Sequence, residues 1–203
     1  MFEFNGIRIE WKGHACFKIK TSKVVIYIDP YQVDDIEKAD IILITHDHYD
    51  HCSPEDIEKL RKDSTVVFAA GAECGKVKPD AILVPGQREE VKNVIIDAVP
   101  AYNVGKKFHP KEKKYCGYVV EVEGKRIYHA GDTDVIPEMK EIRAAVALLP
   151  VGGTYTMDAD EAAVAAKRIE CDVAIPMHYG TIIGSKEDAE HFREVCECEV
   201  KIL

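Results

Sequence analysis

Within six positions the chain places His46, His48, Asp50 and His51. Neutral imidazole suits zinc, iron, nickel and copper, and a carboxylate widens the range towards manganese. His46 and His48, two apart, converge on one ion if their loop curls. Asp50 and His51, adjacent, can serve a second ion beside it. The competing reading is a solvated polar loop that is rich in histidine. Against it, three of the chain's 8 histidines fall in this one stretch, directly after a strongly apolar run. Metal binding is therefore the chemistry to expect.

That run, Ile41-Ile42-Leu43-Ile44, is short, largely β-branched and bounded by polar residues, so it reads as a buried strand. The donors then sit on a loop fixed at its root and free to present ligands at its tip. Ser53-Pro54-Glu55-Asp56 carries an N-cap, a first-turn proline and acids, which start a helix expected to run to about Lys62. Before the loop, residues 7–11, 15–20 and 26–28 read as strands, the last ending in Asp29-Pro30. Asp29 can accept a hydrogen bond from the far nitrogen of a ligand histidine, or it can be an ordinary turn aspartate before proline; both readings stay open. After the loop, strands are expected at 66–69, 82–84 and 94–99. A hairpin of 115–122 with 126–128 turns at Glu123-Gly124. A helix over 134–143 would bury Ile136, Met139 and Ile142. A strand at 146–149 leads to an alanine-rich helix opened by Asp158, and a strand at 173–176 leads to His178. A last helix begins at Ser185, and 199–203 reads as a closing strand.

His46-x-His48-x-Asp50-His51 after an apolar strand resembles the signature of the metallo-β-lactamase superfamily. That resemblance implies an α+β fold, a four-layer αββα sandwich of two mixed sheets flanked by helices, as one hydrolase domain over residues 1–203. It also implies a one- or two-metal hydrolytic site. Flavodiiron oxidoreductases of this fold usually carry Glu where this chain has His48, so the resemblance favours the hydrolases. Gly13-His14-Ala15-Cys16-Phe17 followed by Ile28-Asp29-Pro30 is similar to the opening of the ascorbate-6-phosphate-lactonase-like branch, which would put His14 and Asp29 near the site. His129-Ala130-Gly131-Asp132 looks like the superfamily motif whose aspartate bridges two metals, and His178 falls where the family has its final ligand. Two-metal relatives take a third histidine from the region after Val99. Here Asn103 stands at the nearest offset and His109 six residues on, with His109 favoured.

The resulting expectation is a metal-dependent hydrolase with two Zn2+ per chain, Mn2+ or Fe2+ being alternatives. His46, His48 and His109 would hold one ion, and Asp50, His51 and His178 the other. Asp132 would stand between them, and Asp50 and Asp132 would also be catalytic. Two cations generate hydroxide from water at neutral pH and polarise a carbonyl or phosphoryl oxygen. The branch resemblance implies a small lactone, ester, amide or phosphodiester as substrate, without selecting among them. The lysine-rich stretch Lys106, Lys107, Lys111, Lys113 and Lys114 is either an anion-recognising rim or a solvated loop.

The formal net charge of −9 opposes a general affinity for nucleic acid and so an RNase Z-like activity. A non-catalytic metal-binding protein is the remaining alternative class. The opening residues lack a signal sequence and no apolar run reaches membrane-spanning length, so a cytoplasmic protein without a membrane partner is expected; a homo-oligomer stays open. The 7 cysteines are scattered without a Cys-x-x-Cys pair, which reads as reduced, mostly buried thiols, with Cys52 beside the metal loop.

Overall fold

A computed structural model describes residues 1–34, 37–71 and 77–203. Contacts group the chain into two compact units, residues 1–83 with Leu203, and residues 84–202.

The first unit is built on a seven-stranded sheet in simple sequential order. Its strands are β1 (Phe2–Phe4), β2 (Ile7–Gly13), β3 (Cys16–Lys20), β4 (Val25–Ile28), β5 (Ile41–Ile44), β6 (Val66–Ala70) and β7 (Ala81–Leu83). The first four pair antiparallel, and from β4 to β7 the pairing is parallel. Parallel strands are covered on both faces and read as continuous apolar runs; every residue of β4 and β5 is buried. Helix α1 (Pro54–Leu60) is capped by the Ser53 hydroxyl, which accepts from the Asp56 backbone N–H. Its Ile57 and Leu60 pack with Ile42, Ile44 and Val67. The helix stops at Leu60, two residues before the sequence-based expectation, because Arg61 turns to extended backbone.

The second unit carries another seven-stranded sheet: β8 (Arg88–Val91), β9 (Val94–Pro100), β10 (Cys116–Val122), β11 (Lys125–His129), β12 (Val146–Pro150), β13 (Val173–Met177) and β14 (Glu199–Val200). β8 to β11 are antiparallel, and β11 to β14 are parallel. Helices α2 (Ala159–Ile169) and α3 (Lys186–Val195) pack on β12 and β13 respectively and on each other. Asp158 and Glu161 form a capping box that fixes the start of α2.

Two mixed sheets with helices place the chain in the expected α+β class. The expected helix over 134–143 is a correction: only a 3-10 turn forms, Pro137–Glu141. Ile136, Met139 and Ile142 are nevertheless all buried, since residues three apart eclipse one another in a 3-10 turn. The closing strand covers two residues, shorter than the expected five. Among the described residues, no helix is long and apolar enough to cross a membrane.

Candidate metal centre

In the first unit the donors leave the C-terminal end of β5. The carboxylate of Asp29, which follows β4, is fully buried. It accepts hydrogen bonds from the Thr45 backbone N–H at 2.7 Å, the Thr45 hydroxyl at 2.6 Å and His51 Nδ1 at 2.8 Å. That fixes the His51 tautomer and leaves Nε2 as the nitrogen that can take a metal. Thr45 Oγ1 lies 3.0 Å from His46 Nδ1, which orients that ring in the same sense. The His46 ring centroid is 4.0 Å from that of His51 and 4.6 Å from that of His48. His14 Nε2 is 2.9 Å from Asp50 Oδ2, and the same oxygen is 3.7 Å from His51 Nε2. Donor atoms of His14, Asp50 and His51 all lie within 4.8 Å of one another, a spacing that one ion can span.

In the second unit, Asp132 follows β11 and His178 follows β13. Asp132 Oδ2 lies 3.2 Å from His178 Nε2 and 3.4 Å from His109 Nε2, and all three side chains are buried. His109, not Asn103, therefore faces the carboxylate. Asn103 serves the loop instead: its backbone N–H donates to the His109 carbonyl at 2.9 Å, and its Nδ2 to the Tyr155 carbonyl at 2.6 Å. His129 Nδ1 accepts from the Gly131 N–H at 3.2 Å, which steadies the turn carrying Asp132. Gly131 takes φ +63, a conformation that glycine adopts without penalty.

His14, Asp29, His109 and His178 share a second feature. Each has left-handed backbone, with φ of 49, 49, 55 and 60. Such conformations cost roughly 1–2 kcal/mol per non-glycine residue and collect where side chains must be aimed.

Three residues here carry roles that local sequence did not signal. Thr45 links Asp29 to His46. Asp134 accepts from the Val104 N–H at 2.7 Å and from Lys106 Nζ at 2.6 Å, so it ties the loop bearing His109 to the turn bearing Asp132. The Thr133 hydroxyl donates to the Tyr102 carbonyl at 3.1 Å, with the same effect. Lys106 also donates to the Thr156 carbonyl at 2.7 Å. Lys111 pairs with Glu138 at 2.8 Å and lies over the Tyr102 ring. Two of the five lysines of this stretch are thus engaged in holding the loop. Among the cysteines, Cys52 is disulfide-bonded, which corrects the reduced-thiol expectation there; Cys74 lies outside the described residues. Cys16, Cys116, Cys171, Cys196 and Cys198 are outside any disulfide.

The donor chemistry fits a hard-to-borderline divalent cation: imidazoles with one nitrogen committed, plus carboxylates. Comparison with known proteins points the same way. Residues 8–178 match the beta-lactamase superfamily domain. A UPF0173 metal-dependent hydrolase of Thermoplasma acidophilum is 35% identical, covering 93% of this chain and 90% of the relative. One from Methanopyrus kandleri is 35% identical over 94% and 92%. A solved chain from Parabacteroides distasonis is 34% identical with a TM-score of 0.84, covering 97% of this chain and 92% of that one. The structure of Igni18, a metallo hydrolase of Ignicoccus hospitalis, is 27% identical with a TM-score of 0.80, covering 97% and 94%. The chain thus belongs to the beta-lactamase superfamily, among its UPF0173 members, and is a metal-dependent hydrolase.

Proposed function

We propose that this metal-dependent hydrolase uses a binuclear centre to cleave a small lactone, ester, amide or phosphodiester. The observation that carries this reading is the Asp132 carboxylate oxygen, 3.2 and 3.4 Å from two imidazole nitrogens. A carboxylate has two oxygens and can face two cations. The family resemblance would assign His46, His48 and His109 to one ion, Asp50, His51 and His178 to the other, and Asp132 to both. Zinc follows from the dominance of imidazole, with manganese or iron as substitutes. Bound there, the ions would lower the pKa of water and polarise the scissile carbonyl or phosphoryl group.

The chain's own residues do the positioning. Asp29 keeps His51 in one tautomer and supports its basicity. Asp50, hydrogen-bonded to His14, would orient the attacking water. The likeness of Gly13-His14-Ala15-Cys16-Phe17 to the lactonase-like branch makes a lactone the first substrate class to try. Net charge −9 favours small metabolites over nucleic acid, and a cytoplasmic location accompanies that reading. The test is a panel of lactones, esters, amides and phosphodiesters, assayed as purified, after chelation, and after zinc or manganese is restored. Hydrolysis of at least one class should disappear with chelation and return with metal. A fully metal-loaded protein inert towards all four classes would overturn this reading.

A further inference from the structure

Three thiols unconnected with hydrolysis meet where α2, α3 and β14 end or begin. Cys171 follows Glu170, the left-handed residue that ends α2, and its Sγ is 3.8 Å from the Ala166 carbonyl. Cys196 caps α3, its backbone N–H donating to the Phe192 carbonyl. Cys198 immediately precedes β14. The parallel pairing of Val173 with Glu199 brings the residues just ahead of both strands together. Cys198 Sγ consequently lies 3.6 Å from Cys171 Sγ and 3.5 Å from Cys196 Sγ. Cys171 is buried, while Cys196 and Cys198 are half-exposed.

We propose that Cys171, Cys198 and Cys196 form a thiol–disulfide exchange site whose co-reactant is a low-molecular-weight disulfide. The half-exposed Cys198 thiolate attacks one sulfur of the small disulfide. A mixed disulfide forms on Cys198 and the first small thiolate leaves. The buried Cys171 thiolate then attacks the Cys198 sulfur, closing Cys171–Cys198 and expelling the second small thiolate. The two cysteine protons end on the two released thiols, so two protein thiols are oxidised and one disulfide is reduced to two thiols. Cys196 flanks the same Cys198 sulfur, but a bridge across only three residues is strained, so the Cys171–Cys198 bond is the product that accumulates. It would join residues 27 apart in sequence and pin β14, an edge strand of two residues. The hydrogen bond with Cys171, followed by burial, holds the Cys198 thiol up, to about 11, and the hydrogen bond with Cys198, followed by burial, holds the Cys196 thiol up as well. Exchange at neutral pH is therefore slow, and equilibration over hours is the relevant regime.

The experiment equilibrates the full chain in reduced and oxidised glutathione at graded ratios, alkylates the remaining thiols and maps the peptides by mass. A crosslinked Cys171–Cys198 peptide is expected in oxidising mixtures and its loss in reducing ones. A rise in Tm on the order of 5–10 °C should accompany it. Cys171→Ser should leave glutathione trapped on Cys198, and Cys196→Ser should still form the crosslink. Full alkylation of Cys171 and Cys198 at every ratio would overturn the proposal, as would glutathione retained on Cys198 in the unaltered chain. The mapping of the unaltered chain decides the matter without any variant.

Discussion

His51 Nδ1 donates to Asp29 Oδ2 at 2.8 Å, and both side chains are fully buried. The same carboxylate holds Thr45 through two further hydrogen bonds. One aspartate therefore sets both the root of the candidate metal loop and the tautomer of His51, a candidate ligand. Asp29→Asn keeps the shape but presents a donor where three donors already point. Metal affinity, read by competition with a chromophoric chelator, should fall about 10–100-fold. Unchanged affinity would remove Asp29 from the support of the site.

Lys106 and Lys107, adjacent in sequence, should behave differently. Lys106 is bound to the buried Asp134 and to the Thr156 carbonyl, so Lys106→Glu faces one carboxylate with another. Unfolding by denaturant should show a loss of roughly 2–4 kcal/mol. Lys107 lies over the Phe108 ring, and Lys107→Glu should cost under about 1 kcal/mol. Any change in KM for an anionic substrate should then belong to Lys107.

Glu37 pairs with Lys18 at 2.7 Å and with Lys20 at 2.6 Å. Lys18 is buried while Glu37 is about a third exposed. Hydrogen bonds from both lysines hold the Glu37 carboxyl below its ordinary range. A depressed carboxylate stabilises the folded state above the unfolded value, and that stability is lost as pH falls through the folded value. Glu37→Gln should destabilise the protein at neutral pH by roughly 1–2 kcal/mol after allowance for solvent screening. It should also flatten the fall in Tm on acidification below about pH 4.5. An unchanged acid profile would contradict the pairing.

Gly152 follows β12 and lies against the loop that presents His178. A Cβ there would collide with the His178 carbonyl oxygen and press on Ile183 Cγ2 at 3.1 Å. Because the obstacle is backbone, Gly152→Ala must displace the His178 segment. We expect a loss of about 1–3 kcal/mol in stability and weaker metal retention. Full stability with native metal content would show that the segment yields freely.

The candidate donors were legible because their chemistry is local. Imidazoles and carboxylates crowd 46–51 after an apolar strand, and Asp132 and His178 likewise follow strand ends. The supports were not legible, because their partners are remote in sequence. Asp134 is joined to Lys106, 28 residues away, and Asn103 to Tyr155, 52 away. Strand β8, Arg-Glu-Glu-Val, has an exposed, polar pattern and is made by backbone pairing with β9; no hydrophobic period marks it. The expected helix at 134–143 failed because apolar residues three apart suit a 3-10 turn as well as an α-helix.

The most direct test of the binuclear reading is elemental analysis of metal per chain. The protein should be purified without chelator or histidine tag and compared with Asp132→Ala. About two equivalents are expected in the unaltered chain, with occupancy and turnover both collapsing in the variant. No bound metal after zinc or manganese is offered, or a fully metallated and fully active variant, would contradict it.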